Sequence, residues 1–173
     1  SWCPGGNYLA LGVSDGQTQL WDVSKAKRLR TLINSQMRIS SMSWNRHLIS
    51  NGCMDGNIYN HDVRVGSSLQ SIFQGHSQEI CGLQWSPNGR LLASGGNDNT
   101  VNIWSSSCMT ANPTSRSNSS SSHSNPIFTF TDHRAAVKAV AWCPWRTNCL
   151  ATGGGTADRT VRIWNCQNGQ CLY

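Results

Sequence analysis

His76-Ser77-Gln78-Glu79-Ile80-Cys81-Gly82-Leu83-Gln84-Trp85-Ser86-Pro87-Asn88-Gly89-Arg90-Leu91-Leu92-Ala93-Ser94-Gly95-Gly96-Asn97-Asp98-Asn99-Thr100-Val101-Asn102-Ile103-Trp104 is the stretch that decides the fold. It reads as strand, Pro- and Gly-bearing turn, strand, and then an Asp-Asn turn before a third strand. An apolar run ending at Trp85 stops at Ser86-Pro87-Asn88-Gly89, and a second one stops at Gly96-Asn97-Asp98-Asn99.

The same pattern recurs on both sides. Trp2-Cys3-Pro4-Gly5-Gly6-Asn7-Tyr8-Leu9-Ala10 and Trp142-Cys143-Pro144-Trp145-Arg146-Thr147-Asn148-Cys149-Leu150-Ala151-Thr152-Gly153-Gly154 are copies of its first half. Trp44-Asn45-Arg46-His47-Leu48-Ile49-Ser50 is a shorter fourth copy. From Trp2 to Trp44 and from Trp44 to Trp85 the step matches the WD-repeat period of about 40–45 residues. The step to Trp142 is longer because Ser105–Pro126 is inserted. That segment is rich in Ser, Asn and Thr and cannot bury enough apolar surface to offset its ordering entropy. It reads as a disordered insertion (105–126) between two strands of one blade. Its serines are either phosphorylation targets or a plain solvated loop.

A second spacing locks the unit. Asp15, Asp55, Asp98 and Asp158 each stand six residues before Trp21, His61, Trp104 and Trp164. The pairs Asp15-Gly16, Asp55-Gly56 and Asp98-Asn99 predict two-residue hairpins with positive φ. In such a blade a His, a Ser or Thr, the turn Asp and the Trp can hydrogen-bond in series. Two complete structural tetrads are present: His76, Ser94, Asp98, Trp104, and His133, Thr152, Asp158, Trp164. Both histidines are therefore read as structural, not catalytic. The second repeat has Asn51 in place of the hydroxyl and His61 in place of Trp, and the first has Leu11 at the hydroxyl position. Those two blades are expected to lean on packing.

The fold class that follows is all-β, a WD-repeat β-propeller. The 173 residues hold about four blades with a broken unit at each end, so residues 1–173 are read as a partial propeller, an open fragment of a larger disc. Ser1-Trp2-Cys3-Pro4 lacks the basic and apolar regions of a secretory signal, and the chain begins as if cut from something longer.

Composition narrows the function classes. Net charge is +6, but the arginines are scattered singly, which argues against nucleic acid as partner. The one cluster, Lys25-Ala26-Lys27-Arg28-Leu29-Arg30, reads as an exposed basic turn, with a targeting or nucleic-acid signal as the alternative. No apolar stretch of about 18 residues is present to span a membrane. None of the eight cysteines forms a C-x-x-C pair, and no His stands beside them at zinc spacing. They are read as reduced, packed thiols, with disulfides and then metal as the competing readings. No cofactor or metal is expected.

No enzyme motif appears. Gly153-Gly154-Gly155-Thr156 lacks the Lys, the spacing and the helix of a phosphate loop. Glu79 is the single glutamate, and the aspartates sit in turns, so paired-carboxylate chemistry has no evident home.

Several runs resemble the Fizzy family, the cell division cycle 20 homologues. They are Gly75–Leu83 with Leu92–Asn99, Ala136-Val137-Lys138-Ala139-Val140-Ala141-Trp142-Cys143-Pro144-Trp145, and Ala151-Thr152-Gly153-Gly154-Gly155-Thr156-Ala157-Asp158-Arg159. Lys27–Arg30 after Trp21-Asp22-Val23, and His61-Asp62-Val63-Arg64-Val65, agree with it. The resemblance implies a seven-bladed disc and a non-catalytic activator that recruits substrates to the anaphase-promoting complex, a ubiquitin ligase. It implies degron-bearing substrates such as cyclins and securin, spindle checkpoint proteins as further partners, and residence in nucleus and cytoplasm. Carried over residue by residue, it assigns a KEN-type degron pocket to Asn97, Asn99 and Thr156, whose carboxamide and hydroxyl groups can pair a fully polar Lys-Glu-Asn motif. Local turn stabilisation is the alternative role of these three. Arg38 and Glu79, each six residues before an anchor Trp, are weaker candidates for a partner surface. The acidic groups that grip the destruction-box Arg, and the ligase-docking flanks, map outside this chain. The competing reading is a generic WD-repeat scaffold or decayed paralogue without degron binding.

Overall fold

A computed structural model describes residues 1–109 and 125–173. Four antiparallel sheets follow one another along the chain. The first comprises β1 (Tyr8–Gly12), β2 (Gln17–Asp22) and β3 (Lys27–Ile33), and Trp2 bridges Leu9 on its inner side. The second comprises β4 (Ile39–Asn45), β5 (Leu48–Cys53), β6 (Asn57–Asp62) and β7 (Leu69–Gln74). The third comprises β8 (Ile80–Trp85), β9 (Leu91–Gly96), β10 (Val101–Ser105) and β11 (Phe128–Phe130). The fourth comprises β12 (Val137–Trp142), β13 (Cys149–Gly154), β14 (Val161–Asn165) and β15 (Gln170–Cys171). Strand order within each sheet is sequential, so each is a meander, the blade of a propeller.

Part of the expected insertion is ordered. Ser105 ends β10, and Ser106–Met109 form a turn of 3-10 helix whose Met109 is buried against the core between the second and third blades. The rest, 110–124, lies outside the described residues. Among the described residues no helix is long and apolar enough to cross a membrane.

The core lies between blades rather than within them. Ile58 and Phe73 of the second blade pack with Ile80, Trp85, Leu92 and Trp104 of the third. Val101, Ile103 and Phe130 of the third pack with Val137, Trp142, Leu150 and Trp164 of the fourth. Phe73 stacks on Trp104 with ring centroids 5.1 Å apart, and Phe130 stacks on Trp164 at 4.1 Å. Each stack joins the outermost strand of one blade to the third strand of the next. A stacked aromatic pair adds about 0.5–1.5 kcal/mol beyond its buried area.

The first strands of successive blades stand side by side, β4 on β8 and β8 on β12. Glycine permits the approach: a Cβ at Gly52 would lie 2.8 Å from Ile80 Cγ2, and one at Gly95 would lie 2.4 Å from the Val137 carbonyl. The anchor tryptophans staple the same seam. Trp85 donates its indole hydrogen to Ser50 Oγ at 3.0 Å, and Trp142 donates to the Gln84 carbonyl at 2.9 Å.

Candidate functional site

Strand direction alternates within a blade. The turns between second and third strands therefore share one face with the blade-to-blade connections. Backbone hydrogen bonds link the two: Met54 N donates to Arg38 O (3.1 Å), Asn97 N to Glu79 O (2.8 Å) and Gly155 N to Ala136 O (3.0 Å). All four turn aspartates, Asp15, Asp55, Asp98 and Asp158, lie on this face, here termed the aspartate face.

The turns are not the two-residue hairpins predicted. Gly96 N donates to Thr100 O at 3.0 Å and Asn99 N to Gly96 O at 3.3 Å, so Asn97, Asp98 and Asn99 form a three-residue loop. Only its last residue has positive φ: 66° at Asn99, 80° at Gly16 and 81° at Gly56. This is the type I turn closed by one left-handed residue, a position that favours glycine or a carboxamide side chain. Arg159 takes that position in the fourth blade, with φ 57°.

Both tetrads form. Trp104 Nε1 donates to Ser94 Oγ (2.9 Å), Ser94 pairs with His76 Nε2 (2.8 Å), and His76 Nδ1 stands 3.1 Å from both Asp98 oxygens. In the fourth blade Trp164 donates to Thr152 Oγ1 (2.7 Å), Thr152 pairs with His133 Nε2 (2.8 Å), and His133 Nδ1 stands 2.5 Å from Asp158 Oδ2. The series is consistent when each imidazole carries its hydrogen on Nδ1 and accepts on Nε2. Thr100 and Thr160 add a hydroxyl to each aspartate, at 2.8 and 2.7 Å. Burial raises the Asp98 pKa, but hydrogen bonds from His76, the Ser77 amide and the Thr100 hydroxyl outweigh it and hold the carboxyl well below its usual range. Hydrogen bonds from His133 and Thr160 take Asp158 down to about 2. Gly154 makes room for this pair, since a Cβ there would lie 1.8 Å from Asp158 Oδ2.

The second blade departs from the expectation that it leans on packing. Asn34, in the connection from the first blade, accepts from Asn51 Nδ2 (2.9 Å) and from His61 Nε2 (2.8 Å). Its own Nδ2 donates to Gly16 O (2.8 Å) and Thr18 Oγ1 (3.2 Å). Asn34, one residue before the position that holds histidine in the complete tetrads, thus takes the histidine's part in the network and ties two blades together. Asp55 leaves the series and instead accepts from Tyr59 OH at 2.9 Å. His61 is fully buried, and burial followed by the charge on Arg30 lowers its pKa to about 4.

The candidate binding residues cluster on the aspartate face. Asn97 is exposed, and its Nδ2 donates to Gln78 Oε1 at 2.8 Å, leaving the carboxamide oxygen to accept. Asn99 is half-buried, and among the described residues its side chain makes no hydrogen bond. Thr156 is exposed in the corresponding turn of the fourth blade, where its carbonyl accepts from Arg159 Nε at 2.9 Å. No hydrogen bond joins Thr156 to either asparagine among the described residues; they share a face, not a contact. Arg38 and Glu79, by contrast, meet across blades as a two-pronged ion pair, Nε to Oε1 at 2.9 Å and Nη2 to Oε2 at 2.8 Å. The fork raises the Arg38 pKa. Arg38 is exposed, so solvent screens the pair and it adds little to stability.

All eight cysteines are free thiols. Burial pushes Cys53 and Cys166 up to about 12, so neither is a nucleophile at neutral pH. Among the described residues no three His, Cys, Asp or Glu side chains converge as metal ligands. Sequence reasoning missed three features: the role of Asn34, the Phe–Trp stacks and the inter-blade use of the anchor tryptophans. The stacks had a signal, since Phe73 and Phe130 each stand three residues before a tetrad histidine.

Meander blades, inter-blade cores and His–Asp turn networks define a segment of a WD-repeat β-propeller. The family described as the CDC20/Fizzy WD40 domain matches residues 1–173, and the chain belongs to it. It is 48% identical over 171 residues to a Dictyostelium discoideum protein named anaphase-promoting complex subunit cdc20, covering 99% of this chain and 32% of that protein. It is 46% identical over 168 residues to the Schizosaccharomyces pombe WD repeat-containing protein slp1, covering 97% of this chain and 31% of that protein. A chain in a crystal structure of the mitotic checkpoint complex superposes with a TM-score of 0.88 at 44% identity, over 99% of this chain and 48% of that one. The chain therefore spans about a third of the length of these curated relatives.

Proposed function

We propose that this chain forms part of a substrate-recruiting activator of the anaphase-promoting complex, and that its aspartate face contributes to a degron pocket. The naming of its relatives as subunits or cofactors of that complex supports the partner. The checkpoint complex containing a similar chain supports spindle checkpoint proteins as further partners. Degron-bearing mitotic regulators such as cyclins and securin are the proposed substrates, and the proposed setting is nucleus and cytoplasm.

The observation that carries the reading is the placement of three uncharged polar side chains, Asn97, Asn99 and Thr156, on turns of neighbouring blades that two His–Asp networks hold rigid. A Lys-Glu-Asn motif presents donors and acceptors along its whole length. Carboxamides and hydroxyls pair such groups without placing a charge against a charge. Rigid turns hold those groups in place before the ligand arrives, which lowers the ordering cost of binding. The activator itself supplies positioning, and the bond-making belongs to the ligase.

The test is titration of a fluorescent KEN-box peptide against the complete protein, with a Lys-Ala-Ala variant of the peptide as control. Saturable binding of the first and none of the second is the expected result. Equal binding of both, or of neither, returns the chain to a WD scaffold without degron recognition.

A further inference from the structure

Most of the acidic residues fall on one face. Asp15, Asp55, Glu79, Asp98, Asp132 and Asp158 all belong to the aspartate face or its connections. The opposite face carries the turns between first and second strands and between third and fourth. Backbone bonds link these as well: Val63 N to His47 O, Ser106 N to Arg90 O, and Cys166 N to Asn148 O. Asp22 and Asp62 are the two acids there, and each is already paired, with Lys25 at 3.7 Å and with Arg64 at 2.7 Å.

Arg46, Arg90 and Arg146 are one arginine from each of three successive first turns, single in sequence but brought to one face by the fold. All three are exposed, and among the described residues none makes an ion pair. A cleft of about 360 Å³ lies between the second and third blades, lined by Arg46 and by Pro87-Asn88. A narrower one of about 90 Å³ lies on the other side of the same turn, lined by Pro87-Asn88 and by Trp145-Arg146. The Trp145 side chain is 88% exposed beside it. An indole left in water next to unpaired guanidinium groups is costly unless it meets a partner.

The geometry points to a second docking surface on this opposite face, for an acidic protein segment that lays carboxylates along Arg46, Arg90 and Arg146 and an apolar side chain on Trp145. The chain's own 110–124 segment contains no Asp or Glu and so does not supply the complementary charge. A nucleic acid would be held by the arginines alone and would gain little from a single indole beside a cleft this narrow.

The experiment measures binding of a fluorescent peptide of Glu and Phe to the complete protein at low salt, beside an oligothymidylate of equal charge. Arg46→Ala/Arg90→Ala/Arg146→Ala is expected to weaken the peptide by about tenfold or more, the sum of three exposed charge contacts. Trp145→Ser is expected to weaken it by about threefold or more while leaving the oligothymidylate unchanged. Arg134→Ala/Lys138→Ala, on the aspartate face, is expected to change it less than about twofold. The proposal is overturned if the wild type does not bind the peptide, if both sets of arginine and lysine variants lose equally, or if the oligothymidylate binds more tightly than the peptide. All the substituted side chains are exposed, and unchanged thermal midpoints confirm that each variant folds.

Discussion

Asn34 and His61 stand 27 residues apart in the chain and share one hydrogen, donated by His61 Nε2 to Asn34 Oδ1 over 2.8 Å. The bond closes a polar network in the one complete blade that has neither the histidine nor the tryptophan of the repeat. It depends on a neutral imidazole in a site with no access to water.

That dependence sets a pH window. The His61 pKa falls from the ordinary 6.5 to about 4. Between these values the unfolded chain binds a proton that the folded chain refuses. Stability from this site is complete above pH 6.5 and is lost as pH falls toward 4, by about 3 kcal/mol in all. The tetrad acid Asp158 behaves differently: its pKa is depressed from 3.8 to about 2, so its contribution persists above 3.8 and fails only as pH falls between those values. Urea midpoints at about pH 7 and about pH 4.5 should separate the two. Wild type should lose stability over that interval, and His61→Gln should lose less. Equal slopes would show that His61 takes up its proton without penalty.

Thr152 carries the fourth blade's series alone. Its hydroxyl receives the Trp164 indole hydrogen and pairs with His133 Nε2 in a fully buried position. Thr152→Val keeps the shape and strands both partners, at an expected cost of about 2 kcal/mol. Thr152→Ser restores the hydroxyl, which the third blade already uses at Ser94, and should cost less than half as much. Chemical denaturation followed by tryptophan fluorescence reads both variants. Equal losses would assign the effect to packing.

The repeat was legible because its marks are local. Tryptophan steps and the Asp six residues before Trp, His or Trp exposed every blade, and the tetrads followed from residue type alone. The turn geometry was not legible, since a two-residue and a three-residue hairpin differ in whether the Asn97 or the Gly96 amide reaches the Thr100 carbonyl. Asn34 stayed hidden for a different reason. A carboxamide oxygen imitates the accepting nitrogen of the missing histidine, and residue-type matching does not anticipate that substitution. The pairing of Arg38 with Glu79 was visible only as a shared offset from an anchor Trp; that they meet rather than merely face one way depends on the closeness of β4 and β8. The charge of the opposite face was hidden most thoroughly, because arginines scattered along the chain come to share a face only once the turns are stacked.

Gly154 is the least replaceable small residue of the fourth blade. An added methyl group would sit 1.8 Å from Asp158 Oδ2, inside any contact two atoms can hold. Gly154→Ala must therefore push the carboxylate off His133, with an expected destabilisation of about 1–3 kcal/mol. Combined with Thr152→Val the loss should be less than additive, because both changes disable one network. A double-mutant cycle by denaturation measures this, and strict additivity would separate the glycine from the tetrad.

The degron reading stands or falls on three side chains with distinct controls. In Asn97→Ala the carboxamide oxygen disappears and Gln78 loses the donor 2.8 Å away. In Thr156→Ala an exposed hydroxyl disappears from a turn that keeps its backbone bond to Arg159. Each is expected to weaken a KEN peptide by about 1–3 kcal/mol, because a polar group of the bound motif is left without its partner. Asn99 needs separate treatment, since its φ of 66° makes alanine a backbone change as well. Asn99→Gly keeps the left-handed turn and removes only the side chain, so a comparable loss there assigns the effect to recognition. Fluorescence anisotropy on the complete protein reads all three, with thermal midpoints checked alongside. Affinity unchanged in Asn97→Ala and Thr156→Ala would leave these residues as turn formers and move degron binding off this part of the aspartate face.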